Sequence, residues 1–145
     1  MKNFLIRDFS SSDFSAITKI WLACDLGNPA RGDNLEVIER TISMGGRFFV
    51  LEHQSDNKII ACSWITNDGR RLYLHHFGVL PEYRNNGYAK ELLNYSLDFA
   101  KKSGLQIKLE VHKDNIEATS LYEKAGFKYL GDYKVFIIRD YSQIY

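Results

Sequence analysis

The sequence predicts a single mixed domain of the α/β or α+β class. Three observations carry this. Apolar runs of strand character and helix-like repeats alternate in the order β-α-α-β-β-β-α-β-α-β-β. A short glycine-containing loop joins one apolar strand to a long amphipathic helix, a junction that suits ligand binding. The chain has 145 residues, enough for one domain with a real core, so residues 1–145 are read as one unit.

Phe4 to Arg7 forms the first strand. Ser12 or Asp13 caps a helix with Ile17, Trp21 and Cys24 on one face. Two glycines and a proline mark Asp25–Gly32 as a loop. Asp33, three residues before Glu36, resembles a capping-box start for a helix carrying Leu35, Ile38 and Ile42, which Gly45-Gly46 ends. Three strands follow: Arg47 to Glu52, Lys58 to Thr66 and Arg71 to Val79. They are separated by Ser55-Asp56-Asn57 and by Asn67-Asp68-Gly69, in which Asp-Gly is a hairpin signal. Leu80-Pro81-Glu82 breaks the last of them. The next helix places Ala89, Leu93, Ser96, Leu97 and Ala100 on one face and stops at Gly104. Gln106 to His112 is a strand, Asn115 to Lys124 a helix, and Phe127 to Leu130 and Lys134 to Arg139 are two final strands around a Gly131-Asp132 turn. No repeat, low-complexity segment or linker interrupts the chain.

The net charge is +1 with both signs interspersed, so nucleic acid is not the expected partner. No window approaches the roughly 20 apolar residues of a membrane span, and the N-terminal apolar run is too short for a signal peptide. Cys24 and Cys62 lack a nearby Cys or His at ligand spacing. Both are read as reduced thiols of a cytoplasmic protein, away from the functional motifs.

The loop Tyr83-Arg84-Asn85-Asn86-Gly87-Tyr88-Ala89-Lys90 is the most informative stretch. A helix start leaves backbone N–H groups without partners and carries partial positive charge, which suits phosphate. Gly87 admits close approach, and Arg84 offers a charged donor. The loop has neither the Walker spacing nor G-x-G-x-x-G. It does match Arg-x-x-Gly-x-Ala. Downstream, Asn115-Ile116-Glu117-Ala118-Thr119-Ser120-Leu121-Tyr122-Glu123-Lys124-Ala125-Gly126-Phe127 matches N-x-x-A-x-x-L-Y-x-x-x-G-F. On these two segments, in order and at matching spacing, the chain resembles the GNAT superfamily of acetyl-CoA-dependent N-acetyltransferases. The alignable span runs from about Arg47 to Tyr133.

The resemblance implies a fold: a central mixed, mostly antiparallel sheet of about six or seven strands flanked by about four helices. It implies acetyl-CoA as acyl donor, with no metal, and an amine acceptor. Pyrophosphate would meet the backbone of Asn85, Asn86, Gly87, Tyr88, Ala89 and Lys90. The pantetheine arm would pair with Phe77, Gly78 and Val79, and Asn115 would contact the cofactor as well as cap its helix. Tyr122 corresponds to the general acid. His75 and Glu110 are the two candidates for the base. His75 occupies a strand position where relatives carry Glu or His. Glu110 sits in Leu109–Asn115, which resembles ribosomal-protein alanine acetyltransferases. Strand alternation sends His76 to the opposite face from His75. Arg31, Arg70, Arg71 and Trp64 are acceptor-side candidates, and the charged 28–33 loop suits an acidic or carboxylate-bearing acceptor. The resulting expectation is direct acetyl transfer to a primary amine of a small molecule. A peptide or protein α-amine is the alternative acceptor, and a non-catalytic acyl-CoA-binding module is the rival class. A homodimer is left open.

Overall fold

The computed structural model describes residues 2–144. Five strands form one sheet in the order β1-β2-β3-β4-β5: β1 Phe4–Asp8, β2 Arg47–His53, β3 Lys58–Asn67, β4 Arg71–Val79 and β5 Gln106–Leu109. The first four are antiparallel neighbours, and β5 runs parallel to β4. The helices are α1 Phe14–Ala23, α2 Leu35–Ser43, α3 Tyr88–Ser103 and α4 Ile116–Ala125. Among the described residues no helix is long and apolar enough to cross a membrane.

Alternation along the strands divides the helices between two faces. Phe48 and Trp64 pair across β2 and β3 and meet Trp21 of α1. Phe49 and Ser63 point the other way, to Tyr95, Phe99 and Ser96 of α3. The Ser63 and Ser96 hydroxyls lie 2.8 Å apart in the fully buried centre, and Ser96 also donates to the Leu92 carbonyl, so neither polar atom is stranded. At the N-terminal end of α1, Arg7 grips Asp13 with two hydrogen bonds and reaches Glu52 with a third. Burial raises the Asp13 carboxyl, but the Arg7 and Ser10 bonds outweigh it and hold the group below the ordinary carboxylate range.

The sequence expectations hold for the helices and the first four strands, with three corrections. The α2 cap is Asn34, whose side chain accepts from Val37, and Asp33 is released for another contact. The fifth strand ends at Leu109 rather than His112, because the chain turns there into the α4 cap. The segments 127–130 and 134–139 are not strands, so the sheet has five strands and not six or seven. Apart from Phe127, which packs on Tyr122, their side chains stand in solvent, and no neighbouring strand completes a ladder among the described residues.

The register is regular except at two places. One is between Leu51 and Glu52. The other lies between β3 and β4, where Cys62 opposes Gly78 and Trp64 opposes His75. Ser63 alone therefore faces two residues, His76 and Phe77. This is a β-bulge, and His76 takes a left-handed φ of +43° to form it.

Candidate active site

The bulge overturns the alternation expected of β4. His75 faces the α1/α2 side, paired with Trp64. His76 turns to the same side instead of away from it. Its ring lies 5.1 Å from Trp21 and 5.6 Å from Trp64, and its Nε2 is 2.8 Å from Asp33 Oδ1. Asp33 is held in place by the Asn28 N–H, which donates to its other oxygen at 2.6 Å. Phe77 points to the opposite face, where its ring meets Tyr122 of α4 edge-on at 6.1 Å. Gly78 then returns to the α1/α2 side, where an added Cβ would lie 3.1 Å from Cys24 Sγ and 3.2 Å from Leu26. A side chain at Gly78 would be tight there, and Cys24 or Leu26 would have to give by a few tenths of an ångström.

β4 has nine residues but pairs with β5 only from Arg71 to Leu74. From His75 to Val79 that side of the strand has no partner strand among the described residues. The unpaired stretch leads directly into the glycine loop. Asn85 and Gly87 both adopt positive φ, +63° and +81°, which curls the loop ahead of α3. None of the N–H groups from Asn85 to Lys90 has a protein acceptor among the described residues, and Glu91 is the first to donate back, to Gly87 O. A Cβ at Gly87 would meet nothing within 4 Å. Tyr88 is buried and fixes the helix start, with its ring against Phe4 and its hydroxyl 3.4 Å from Asn3 Oδ1. This is an open cradle of free donors at a helix N-terminus, fit for phosphate.

Arg84 Nε donates to Val79 O at 3.0 Å and its Nη2 approaches Cys24 Sγ at 3.5 Å, so the guanidinium is tied to the end of β4. Cys24 also donates to Val79 O. The thiol therefore lies beside the end of β4, which corrects the reading that neither cysteine is near the motifs. The sequence distance of 24 from 78–84 concealed this contact. Cys62 is fully buried, and burial pushes its thiol well up.

Tyr122 is buried between Phe77 and Phe127, and its hydroxyl has no hydrogen-bond partner among the described residues. Burial pushes the phenol up to about 12, so it is protonated at neutral pH. Asn115 is exposed and accepts from Ala118 N, an ordinary N-cap.

His75 and Glu110 are expected on neighbouring strands, but β5 ends at Leu109 and Glu110 lies just beyond it; Tyr73 stands between the two, touching both. The Tyr73 ring stacks on His75 at 4.1 Å. Burial and the neighbouring Glu110 carboxylate both raise the Tyr73 phenol. His75 bonds through Nε2 to Thr66 Oγ1 at 2.8 Å. Burial, and then the charge of His76, push His75 down to about 4. A cavity of about 380 Å³ opens beside these groups, lined among others by Arg70, Arg71, Tyr73, His75 and Lys108. Arg31 is exposed on the loop between α1 and α2, outside this cavity, and Trp64 packs in the aromatic wall.

The contact that sequence reasoning missed is His76 with Asp33. Two neighbouring histidines in a strand signal divergent directions, and only the bulge makes them converge. The positive φ of a non-glycine residue leaves no mark in sequence.

Residues 14–127 match the profile of the Acetyltransferase (GNAT) family, and the chain belongs to that family: it is an acyltransferase that uses acetyl-CoA. Solved structures share the fold. The acetyltransferase of the GNAT family from Staphylococcus aureus Mu50 is 22% identical, with a TM-score of 0.78 over 90% of this chain and 88% of that one. The paia N-acetyltransferase from Thermoplasma acidophilum, in complex with coenzyme A, is 20% identical, with a TM-score of 0.71 over 88% and 91%. The ribosomal-protein-S18-alanine N-acetyltransferase from Escherichia coli is 24% identical, with a TM-score of 0.66 over 86% and 77%.

The His75 environment has a consequence for stability. The unfolded imidazole takes up a proton near 6.5, whereas in the folded chain it does so only near 4. Between those values the unfolded chain binds more protons. The contribution of His75 is therefore complete above about pH 6.5 and is lost as pH falls towards 4. The urea midpoint should fall across that window less steeply in His75→Gln than in the wild type. Equal slopes in the two proteins would show that His75 is not held neutral by burial.

Proposed function

We propose that this chain moves an acetyl group from acetyl-CoA directly to a primary amine of a small acceptor, within one domain spanning the whole chain. The run of free amides from Asn85 to Lys90, continuous with the unpaired end of β4, carries this reading. When bound, acetyl-CoA supplies an activated thioester carbonyl. The chain's own groups do the rest. The loop amides hold pyrophosphate oxygens. The free side of β4 at Phe77, Gly78 and Val79 holds the pantetheine amides, and backbone N–H groups on that free side stabilise charge that develops on the carbonyl oxygen. Tyr122 keeps its proton at neutral pH and gives it to the departing thiolate, with its ring oriented by Phe77 and Phe127.

An alkylamine is protonated at neutral pH and must lose that proton before it attacks. His76 is suited to accept it: a carboxylate from Asp33 orients the ring, and two tryptophans enclose it. His75, held near 4, is a weaker base, and Glu110 is exposed beside Tyr73. The cavity is lined by Arg70, Arg71 and Lys108 against a single carboxylate, Asp68, and this positive excess favours a small acceptor bearing a carboxylate or phosphate. The alternative, a protein α-amine, is supported by the Leu109–Asn115 segment and by the alanine acetyltransferase among the structural neighbours.

Three measurements test this reading. Gly87→Asp places a carboxylate among the loop amides and forces a side chain onto a left-handed φ. It should weaken acetyl-CoA binding in calorimetry, and undiminished affinity would remove the cradle from the cofactor site. Tyr122→Phe should lower kcat by about 10²–10⁴-fold while acetyl-CoA affinity is retained; a wild-type kcat would assign Tyr122 to packing. For the base, an amine screen monitored by thiol release comes first, then pH–rate profiles. His76→Gln and Asp33→Asn should each depress kcat/KM, whereas His75→Gln should leave the profile unchanged above about pH 5, since its proton is already off near 4. Loss of the acid limb in Glu110→Gln alone would transfer the role to Glu110.

A further inference from the structure

His76 stands between two cavities. On one side its ring lies 6.4 Å from His75, which lines the cavity of about 380 Å³ shared with Arg70, Arg71 and Lys108. On the other side lie Trp21, 5.1 Å from the same ring, and Asp33, paired with its Nε2. These two residues line a second cavity, of about 300 Å³, between α1 and the loop that leads to α2. An amine that reaches His76 therefore has a cationic space to one side and this second space to the other.

The second cavity is built differently from the first. Its walls are mainly Phe14, Trp21, Leu22, Leu26 and Pro29. Gly27 lets the loop close on the indole: its φ is +84°, and an added Cβ would lie 3.0 Å from Trp21 Cε3. Three polar side chains also reach the cavity, and each is already engaged within the chain. Thr18 Oγ1 donates to Ser15 O at 2.7 Å, and Asn34 Oδ1 accepts from Val37 N at 2.9 Å. One Asp33 oxygen faces His76 Nε2, and the other accepts from the Asn28 N–H. What remains for a ligand is apolar surface beside a single carboxylate. A hydroxyl or charged group entering this space would lose water without finding a partner, whereas an aryl or branched alkyl group gains by burial. The volume is ample for one such group.

We infer that this cavity is a second acceptor subsite, and that the acceptor is a primary amine with a bulky apolar group on or next to its amine-bearing carbon. The inference rests on the acetyl-transfer reading above and adds the chemical class of the acceptor. The amine meets His76 and Asp33. The apolar group turns under the loop between α1 and α2, and the acidic group turns towards Arg70, Arg71 and Lys108. The subsite acts by covering apolar area in ground state and transition state alike, so its loss shows in KM more than in kcat.

The test compares two acceptors that differ only in the apolar group, γ-aminobutyrate and its γ-benzyl derivative, with thiol release from acetyl-CoA as the readout on the full chain. Burying a phenyl group is worth roughly 10–100-fold in binding. The kcat/KM of the benzyl derivative should exceed that of γ-aminobutyrate by a factor of that order. Leu22, 82% exposed at the rim, can be changed without disturbing the core. Leu22→Asp should shrink the ratio towards one through the KM of the benzyl derivative, with acetyl-CoA affinity retained, and Leu22→Met should keep it. A ratio near one in the wild type, or refusal of both probes while other amines are acetylated, would overturn the inference and leave the transfer reading standing. A ratio that Leu22→Asp does not change would overturn it too, because the apolar group would then lie elsewhere. Release of no thiol with any amine would remove the transfer reading itself, and this inference with it.

Discussion

The β-bulge in β4 is the constraint on which the site depends. One extra residue opposite Ser63 shifts every side chain after His75 by one position. Without it, strict alternation would send His76 to the α3 side and Phe77 to the α1/α2 side. With it, both histidines and Gly78 share one face, and Phe77 crosses to orient Tyr122. The shift requires a left-handed backbone at His76, which costs a non-glycine residue energy. The Asp33 carboxylate and the Trp21 and Trp64 rings hold the side chain in the place that this backbone dictates.

The second organising feature is the unequal length of β4 and β5. Pairing ends at Leu74 and Leu109, and the two strands part. β4 continues as a strand with one free side, then turns through Pro81 into a loop whose amides are also free. A backbone with unmade hydrogen bonds is normally a liability. Here the bonds are unmade over one continuous path, from the bulge to the start of α3, and a long ligand with amides at one end and phosphates at the other suits such a path. The α3 helix is anchored at its first turn by Tyr88 and along its length by Leu92, Leu93 and Ser96, so the donors are presented on a rigid element.

Around that path the ionisable groups are divided between the two faces of the sheet. On the α4 side, burial with no hydrogen-bond partner keeps the Tyr122 phenol protonated. On the α1/α2 side, His75 is pushed towards neutrality by burial, while His76 is given a carboxylate. The same residue type in adjacent positions thus serves two purposes, because one ring is bonded to a hydroxyl and the other to an anion.

Much of this was determined by local sequence. The turn signals at Asn67-Asp68-Gly69, the helix caps and stops and the apolar periodicity placed the four helices and the first four strands, because those signals act over a few residues. The loop before α3 was legible for the same reason: Gly87 and the helix start that follows are contiguous. Tertiary structure alone decided three things. His76 joins His75 because of a bulge set by pairing with β3, 14 residues away at the Cys62 thiol that meets the His76 carbonyl. Cys24 reaches Val79 and Arg84 because α1 packs across the sheet. The segments 127–130 and 134–139 carry strand sequence but no ladder, since a strand is completed by a neighbour and not by its own residues. Periodicity reports which residues prefer extended backbone; whether an edge is there to receive them depends on where the rest of the chain has gone.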